Sequence, residues 1–126
     1  MLVYDTGALL AAERRDKTIF LLHEQALAGG VFPIVHSLVL AQAWRSGPAH
    51  NMSRLLKGCQ IIENVAEPGA RAAGELCGRT GTSDVVDALV VLLAKQIRAG
   101  IVVTSDPDDL TILRNAAGAR FTLRAI

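Results

Sequence analysis

Only two cysteines, Cys59 and Cys77, occur in the 126 residues, with no Cys-x-x-Cys spacing and no histidine pair beside them. That argues against a zinc ribbon or a disulfide framework, and both are read as small apolar side chains. Aromatics are equally scarce: one Trp, one Tyr and three Phe. Base stacking on aromatic rings therefore cannot supply most of any nucleic-acid affinity. No apolar run is long enough to span a bilayer, since the densest, Val85 to Ala94, is short and contains Asp87. No basic segment followed by an apolar one and a small-residue cleavage site stands out, so the expected location is the cytosol, with no membrane partner. A glycine-rich phosphate loop is missing. His23, His36 and His50 share no spacing and no partnering nucleophile, which favours structural roles over a histidine-based hydrolase. No repeat or long linker divides the chain, so residues 1–126 are read as one domain.

What is present is enough apolar material for a core, 51% of residues. A chain of this length buries roughly two thirds of its unfolded surface. Net charge is only +1, but it is unevenly spread. Residues 14–60 carry six cations (Arg14, Arg15, Lys17, Arg45, Arg54, Lys57) against Asp16 and Glu24, a net of +4. Residues 81–110 carry five Asp against Lys95 and Arg98, a net of −3. Such a balance suits a polyanion held against bound cations; ordinary solvated faces are the competing reading.

Apolar periodicity and punctuation predict strands over 2–5, 31–35, 60–63, 101–104 and 121–123. They predict helices over 18–27, 36–45, 51–57, 67–79, 82–98 and 106–115. Strands alternating with helices imply an α/β fold, a three-layer α/β/α sandwich with a mostly parallel sheet of four to five strands. Ligands of such sheets bind beyond the carboxyl ends of the strands. Asp5 and Asp106 both follow strands, and the helix entering the strand at 101 must start at the same edge, bringing Asp84 and Asp87. Gln42 lies a turn or two into a helix that leaves that edge.

Carboxylates gathered at one place repel, and a cation relieves the cost. Mg²⁺ or Mn²⁺ takes oxygen ligands, retains water and promotes in-line displacement at phosphorus. Each acid alone has a plainer explanation. Asp5 before Thr6-Gly7 suits a helix N-cap, and so does Asp106 before Pro107-Asp108-Asp109. Asp84 suits a helix dipole. Asp87, between Val86 and Ala88, is harder to explain without a partner.

The ordered motifs Val3-Tyr4-Asp5-Thr6, Leu40-Ala41-Gln42-Ala43-Trp44-Arg45, Asp87-Ala88 and Thr104-Ser105-Asp106 resemble those of the PIN-domain ribonucleases. Within these, the chain is most similar to the VapC-like toxins of bacterial toxin–antitoxin pairs. The resemblance spans nearly the whole chain. It implies a metal-dependent endoribonuclease with Mg²⁺ or Mn²⁺ on Asp5, Asp87 and Asp106, and Asp84, Asp109 or Gln42 as further ligands. It also implies an RNA substrate, a homodimer and an antitoxin that blocks the pocket. Gln42 departs from the pattern, because the family usually has Glu there; an amide oxygen still ligates but brings no charge. Thr6 and Ser105 are read as hydrogen-bonding the ligands or as turn hydroxyls. Arg45 is read as contacting RNA phosphate, bracing the acids or forming a surface ion pair. Trp44 is expected to pack in the core or a dimer interface rather than stack on bases. Specificity is expected in surface loops such as Ser46 to Ser53. The rival reading is a PIN-like binding module that lost catalysis with its Glu.

Overall fold

Strands buried on both faces must be apolar at successive positions, and the central strands of this protein are. In the computed structural model, which describes residues 1–45 and 47–126, β1 (Leu2–Tyr4) and β2 (Ile34–His36) are buried throughout. β4 (Ile101–Thr104) is buried after its first residue. β3 (Gln60–Ile62) and β5 (Thr122–Ala125) are more exposed, as edge strands are. The five strands form one sheet in the order β3-β2-β1-β4-β5, and every pairing is parallel. Leu2 pairs with Ile101, and Tyr4 lies between Val35 and Val103.

Seven helices cover this sheet among the described residues. α1 (Thr6–Glu13) packs on α2 (Lys17–Ala28), α3 (Ser37–Ala43) and α4 (His50–Leu56). α5 (Glu67–Thr80), α6 (Val85–Gln96) and α7 (Pro107–Ala117) pack on one another in a second group. Helices in two groups about one parallel sheet give the three-layer α/β/α arrangement expected from the alternation of elements. One contiguous core runs through it, centred on Val3, Tyr4, Val35, Val102 and Val103 and reaching Leu9, Leu76, Val90 and Leu110. A polar pair lies deep within it: the Tyr4 hydroxyl is 2.9 Å from Nδ1 of His23. His36 is also buried, its Nδ1 accepting the Leu38 N–H at 3.0 Å at the start of α3. Both histidines serve the fold. No helix among the described residues is long and apolar enough to cross a membrane.

Several boundaries differ from the expectation for physical reasons. α1 fills a stretch where no helix is predicted, although Asp5 before Thr6-Gly7 suits the N-cap it proves to be. The second strand begins at Ile34, three residues late, because Pro33 lacks an N–H and offers only its carbonyl, to Gln60 at 2.8 Å. α6 begins at Val85 because Asp84 caps it. Of the Ser46 to Ser53 segment, Ser46 lies outside the described residues, and from His50 the chain is helical. Trp44 is 41% exposed and so is not core. Cys77 is buried and Cys59 half-buried, both as free thiols.

Candidate functional site

The strand order creates a switch point between β1 and β4. From β1 the chain steps one way to β2 and β3, then returns to lay β4 along the other side of β1. Crevices at such points, beyond the strand carboxyl ends, are where open parallel sheets bind ligands. The Asp5 N–H donates to the Val103 carbonyl at 3.1 Å, so the two strand ends are tied where they meet.

Asp5 stands at the end of β1 in extended conformation and caps α1, accepting the Ala8 N–H at 3.0 Å. It is 5% exposed. Burial pushes its pKa up, hydrogen bonds from the Thr104 hydroxyl and from the Ala8 and Gly7 amides pull it down, and Asp106 raises it again. Thr104 itself is wholly buried, and its Oγ1 also accepts the Asp106 N–H at 2.9 Å. One hydroxyl thus links the two strand-end acids. The expectation that Asp106 caps α7 fails in its side chain. Asp106 occupies the capping position and Pro107 the first helical one, but its carboxylate takes no cap hydrogen bond.

Across the crevice, the left-handed Gly81 ends α5, and the chain turns at once into Asp84. Asp84 caps α6 by accepting the Asp87 N–H at 3.0 Å. Asp87 is half-buried, and its pKa is pushed up to about 7, first by burial and then by Asp84, Asp5, Asp109 and Asp106. Asp109 is exposed, and its pKa is raised chiefly by Asp106. Asp87 therefore stands within the field of four other aspartates, drawn from all three segments. No basic side chain is paired with them; among the described residues the one ion pair is Arg71–Glu67, 2.8 Å, along α5. Beside Asp109 a cavity of about 350 Å³, lined by Gly81, Thr82 and Ser83, opens between the α5–α6 turn and α7.

Gln42 joins through Thr6, whose hydroxyl donates to its Oε1 at 2.5 Å. Arg45 turns the other way and donates through Nε to the Gln42 carbonyl at 2.9 Å, so it finishes α3 rather than bracing the acids. Ser105 packs against Gly7. A Cβ on Gly7 would lie 2.8 Å from the Ser105 main-chain nitrogen, far inside van der Waals contact. Only glycine lets the β1–α1 and β4–α7 turns approach this closely. Gly7 and Thr104 are the two contributors that a search for ligand-type residues passes over. The Thr-x-Asp spacing held the signal for Thr104, whereas nothing local marked Gly7.

Among the described residues no three His, Cys, Asp or Glu side chains converge as a ready-made metal cage. The donor chemistry still fits a hard divalent cation: all are oxygen donors, they repel one another, and among the described residues no protein cation is paired with them. Mg²⁺ in particular is held by one or two carboxylates plus water and substrate phosphate, which needs no closed cage.

No protein-family model matches the chain, and no curated protein matches it.

Proposed function

We propose that this chain is a metal-dependent endoribonuclease, a PIN-like toxin that hydrolyses RNA phosphodiester bonds and is held inactive by an antitoxin. The observation that carries the reading is the field of Asp5, Asp84, Asp106 and Asp109 on half-buried Asp87, with no protein cation paired to these acids among the described residues. A structural cap does not require its neighbours to be acidic, and mutual repulsion costs stability unless a ligand repays it. Mg²⁺ or Mn²⁺ on Asp5, Asp87 and Asp106 would supply Lewis-acid polarisation of the phosphate and activate water for attack at phosphorus.

The residues divide the remaining work. Asp5 is oriented by the Ala8 amide and the Thr104 hydroxyl, so its carboxylate is fixed before anything binds. Asp87, its pKa pushed up to about 7, would give up what proton it still carries on becoming a ligand. Thr6 fixes the Gln42 amide at the rim. An antitoxin and a second copy of the chain are partners in this proposal, with exposed Leu38, Trp44 and Val85 as apolar surface for either.

A second reading, a PIN-like binding module, is favoured by two observations: Gln42 brings no charge, and the acids form no closed cage. One assay separates them. Total RNA is incubated with partner-free protein in Mn²⁺, in Mg²⁺ and in chelator, beside Asp5→Asn. Metal-dependent cutting that Asp5→Asn abolishes is the expected result. A folded protein that cuts under no metal leaves the binding module.

A further inference from the structure

We infer that a second site, on the α1–α2–α4 face, binds one nucleotide of a single-stranded RNA through its phosphate and its base. A cavity of about 450 Å³ opens there, lined by Arg15, Lys17 and Arg54 with Glu24 the one acid in its wall. Arg15 sits at the tight α1–α2 turn in the left-handed conformation, φ 62°, which is uncommon for any residue but glycine. Arg15 and Lys17 flank Asp16, whose carboxylate caps α2 by accepting the Thr18 N–H at 2.7 Å, so the helix end is already answered and the phosphate contact falls to the two side chains. Together they offer a phosphate two cations in the lining of the cavity.

The base-binding element is Arg54. Its guanidinium carbon lies 4.4 Å from the centroid of the Phe20 ring, so the ring holds the guanidinium plane in place. Guanidinium planes stack on nucleobases, and Arg54 lines the cavity. Asn51 also lines it, with its Nδ2 donating to the Glu13 carbonyl at 3.2 Å, which leaves the amide oxygen for a base edge. An acidic peptide would use the charges but has no need of a fixed planar surface, so these features favour RNA.

Position supports the same occupant. α1 is capped by Asp5 and ends at Glu13, whose Oε2 accepts the Met52 N–H at 3.1 Å and so anchors α4. An eight-residue helix rises about 12 Å. The cavity is therefore one short helix away from the acidic crevice, a separation that one strand of RNA bridges. The inference rests on RNA being what that crevice acts upon, but its test needs no cleavage.

The experiment is fluorescence anisotropy of a 5′-fluorescein decauridylate in chelator, titrated at several salt concentrations. Arg54→Ala is expected to weaken binding about tenfold, the loss of one stacked base and one cation. Arg15→Ala and Lys17→Ala should each reduce the slope of log affinity against log salt by about 0.7. Arg54→Lys should keep the salt slope and lose the preference for decauridylate over an abasic decamer. Melting curves confirm that each variant is folded. Unchanged affinity in folded Arg54→Ala overturns the proposal. So does competition by polyglutamate as effective as by RNA, which would give the cavity to an acidic peptide. A protein that binds through Arg54 yet never cuts sinks the nuclease reading alone. One that cuts with an unaltered KM in Arg54→Ala sinks this inference alone.

Discussion

Replacing Asp87 by Asn is expected to stabilise the metal-free protein most above neutral pH, by at least about a third as much at pH 5, and to do little below the ordinary carboxyl pKa of 3.8. The Asp87 carboxyl moves from its ordinary 3.8 in the unfolded chain to about 7 in the fold, chiefly through burial and the charge of Asp84. Between those values the folded chain holds a proton that the unfolded chain has released. Stability therefore falls as pH rises through that window and levels off above it. Moved that far, the ionised form costs about 4 kcal/mol if taken at face value. Asp87 is only half-buried, so water screens part of this. It is also the third residue of α6, where the helix dipole returns about 0.5 kcal/mol to a negative charge. A net cost of about 2 kcal/mol at pH 8 remains after screening. In a domain of this size that is a melting-temperature gain of roughly 6–10 °C for Asp87→Asn. The assay is thermal unfolding of both proteins in chelator at pH 4, 5, 6, 7 and 8. Burial lowers the pKa of His23 and His36, so the wild type alone can gain stability with pH, and the difference between the proteins is what is read. A difference that does not grow from pH 4 to pH 8 would refute the reasoning. Saturating Mn²⁺ at pH 8 should recover most of the difference in the wild type and none in the variant.

Other substitutions probe the same edge and the core beneath it. Gln42→Glu keeps the acceptor for the Thr6 hydroxyl and adds a charge, so Mn²⁺ affinity should rise about tenfold; an unmoved titration removes Gln42 from the site. Gly7→Ala drives a methyl into the Ser105 main chain and should cost about 1–2 kcal/mol with a weaker Mn²⁺ site. If melting and titration are both unchanged, the β4–α7 turn yields freely and the close approach means little. Tyr4→Phe leaves a buried His23 nitrogen without its partner and should cost about 1–2 kcal/mol in urea unfolding. Equal midpoints would show that water replaces the hydroxyl.

The sheet was legible because its central strands are short apolar runs bounded by Gly, Pro or Asp, and their alternation with helices admits few topologies. α1 was not legible, and its residues explain why. Ala8, Leu9, Ala11 and Ala12 are all buried, so the helix has no polar face to mark a period, and Thr6-Gly7 mimics a strand stop. The acids were legible one by one, since carboxylates after strands are conspicuous. Their supports were not. Thr104 looks like an ordinary strand-end hydroxyl until its two hydrogen bonds are seen. Gly7 matters only for what lies against it, a residue from the far end of the chain. Arg45 was ambiguous because an exposed guanidinium at a helix end has several partners within reach, and it took the nearest carbonyl.

The strand order also fixes when the crevice first exists during synthesis. β1 is made before the other strands and can pair with β2 once Ile34–His36 follows, but its other neighbour is β4, and Leu2 waits for Ile101. Until then Asp5 has no Thr104 hydroxyl beside it and no Asp106 across from it. A nascent chain carrying every residue through Gly100 has three of the five acids and no place for them to meet. The site closes only once β4 and the turn after it have been made, so no chemistry it performs precedes their synthesis.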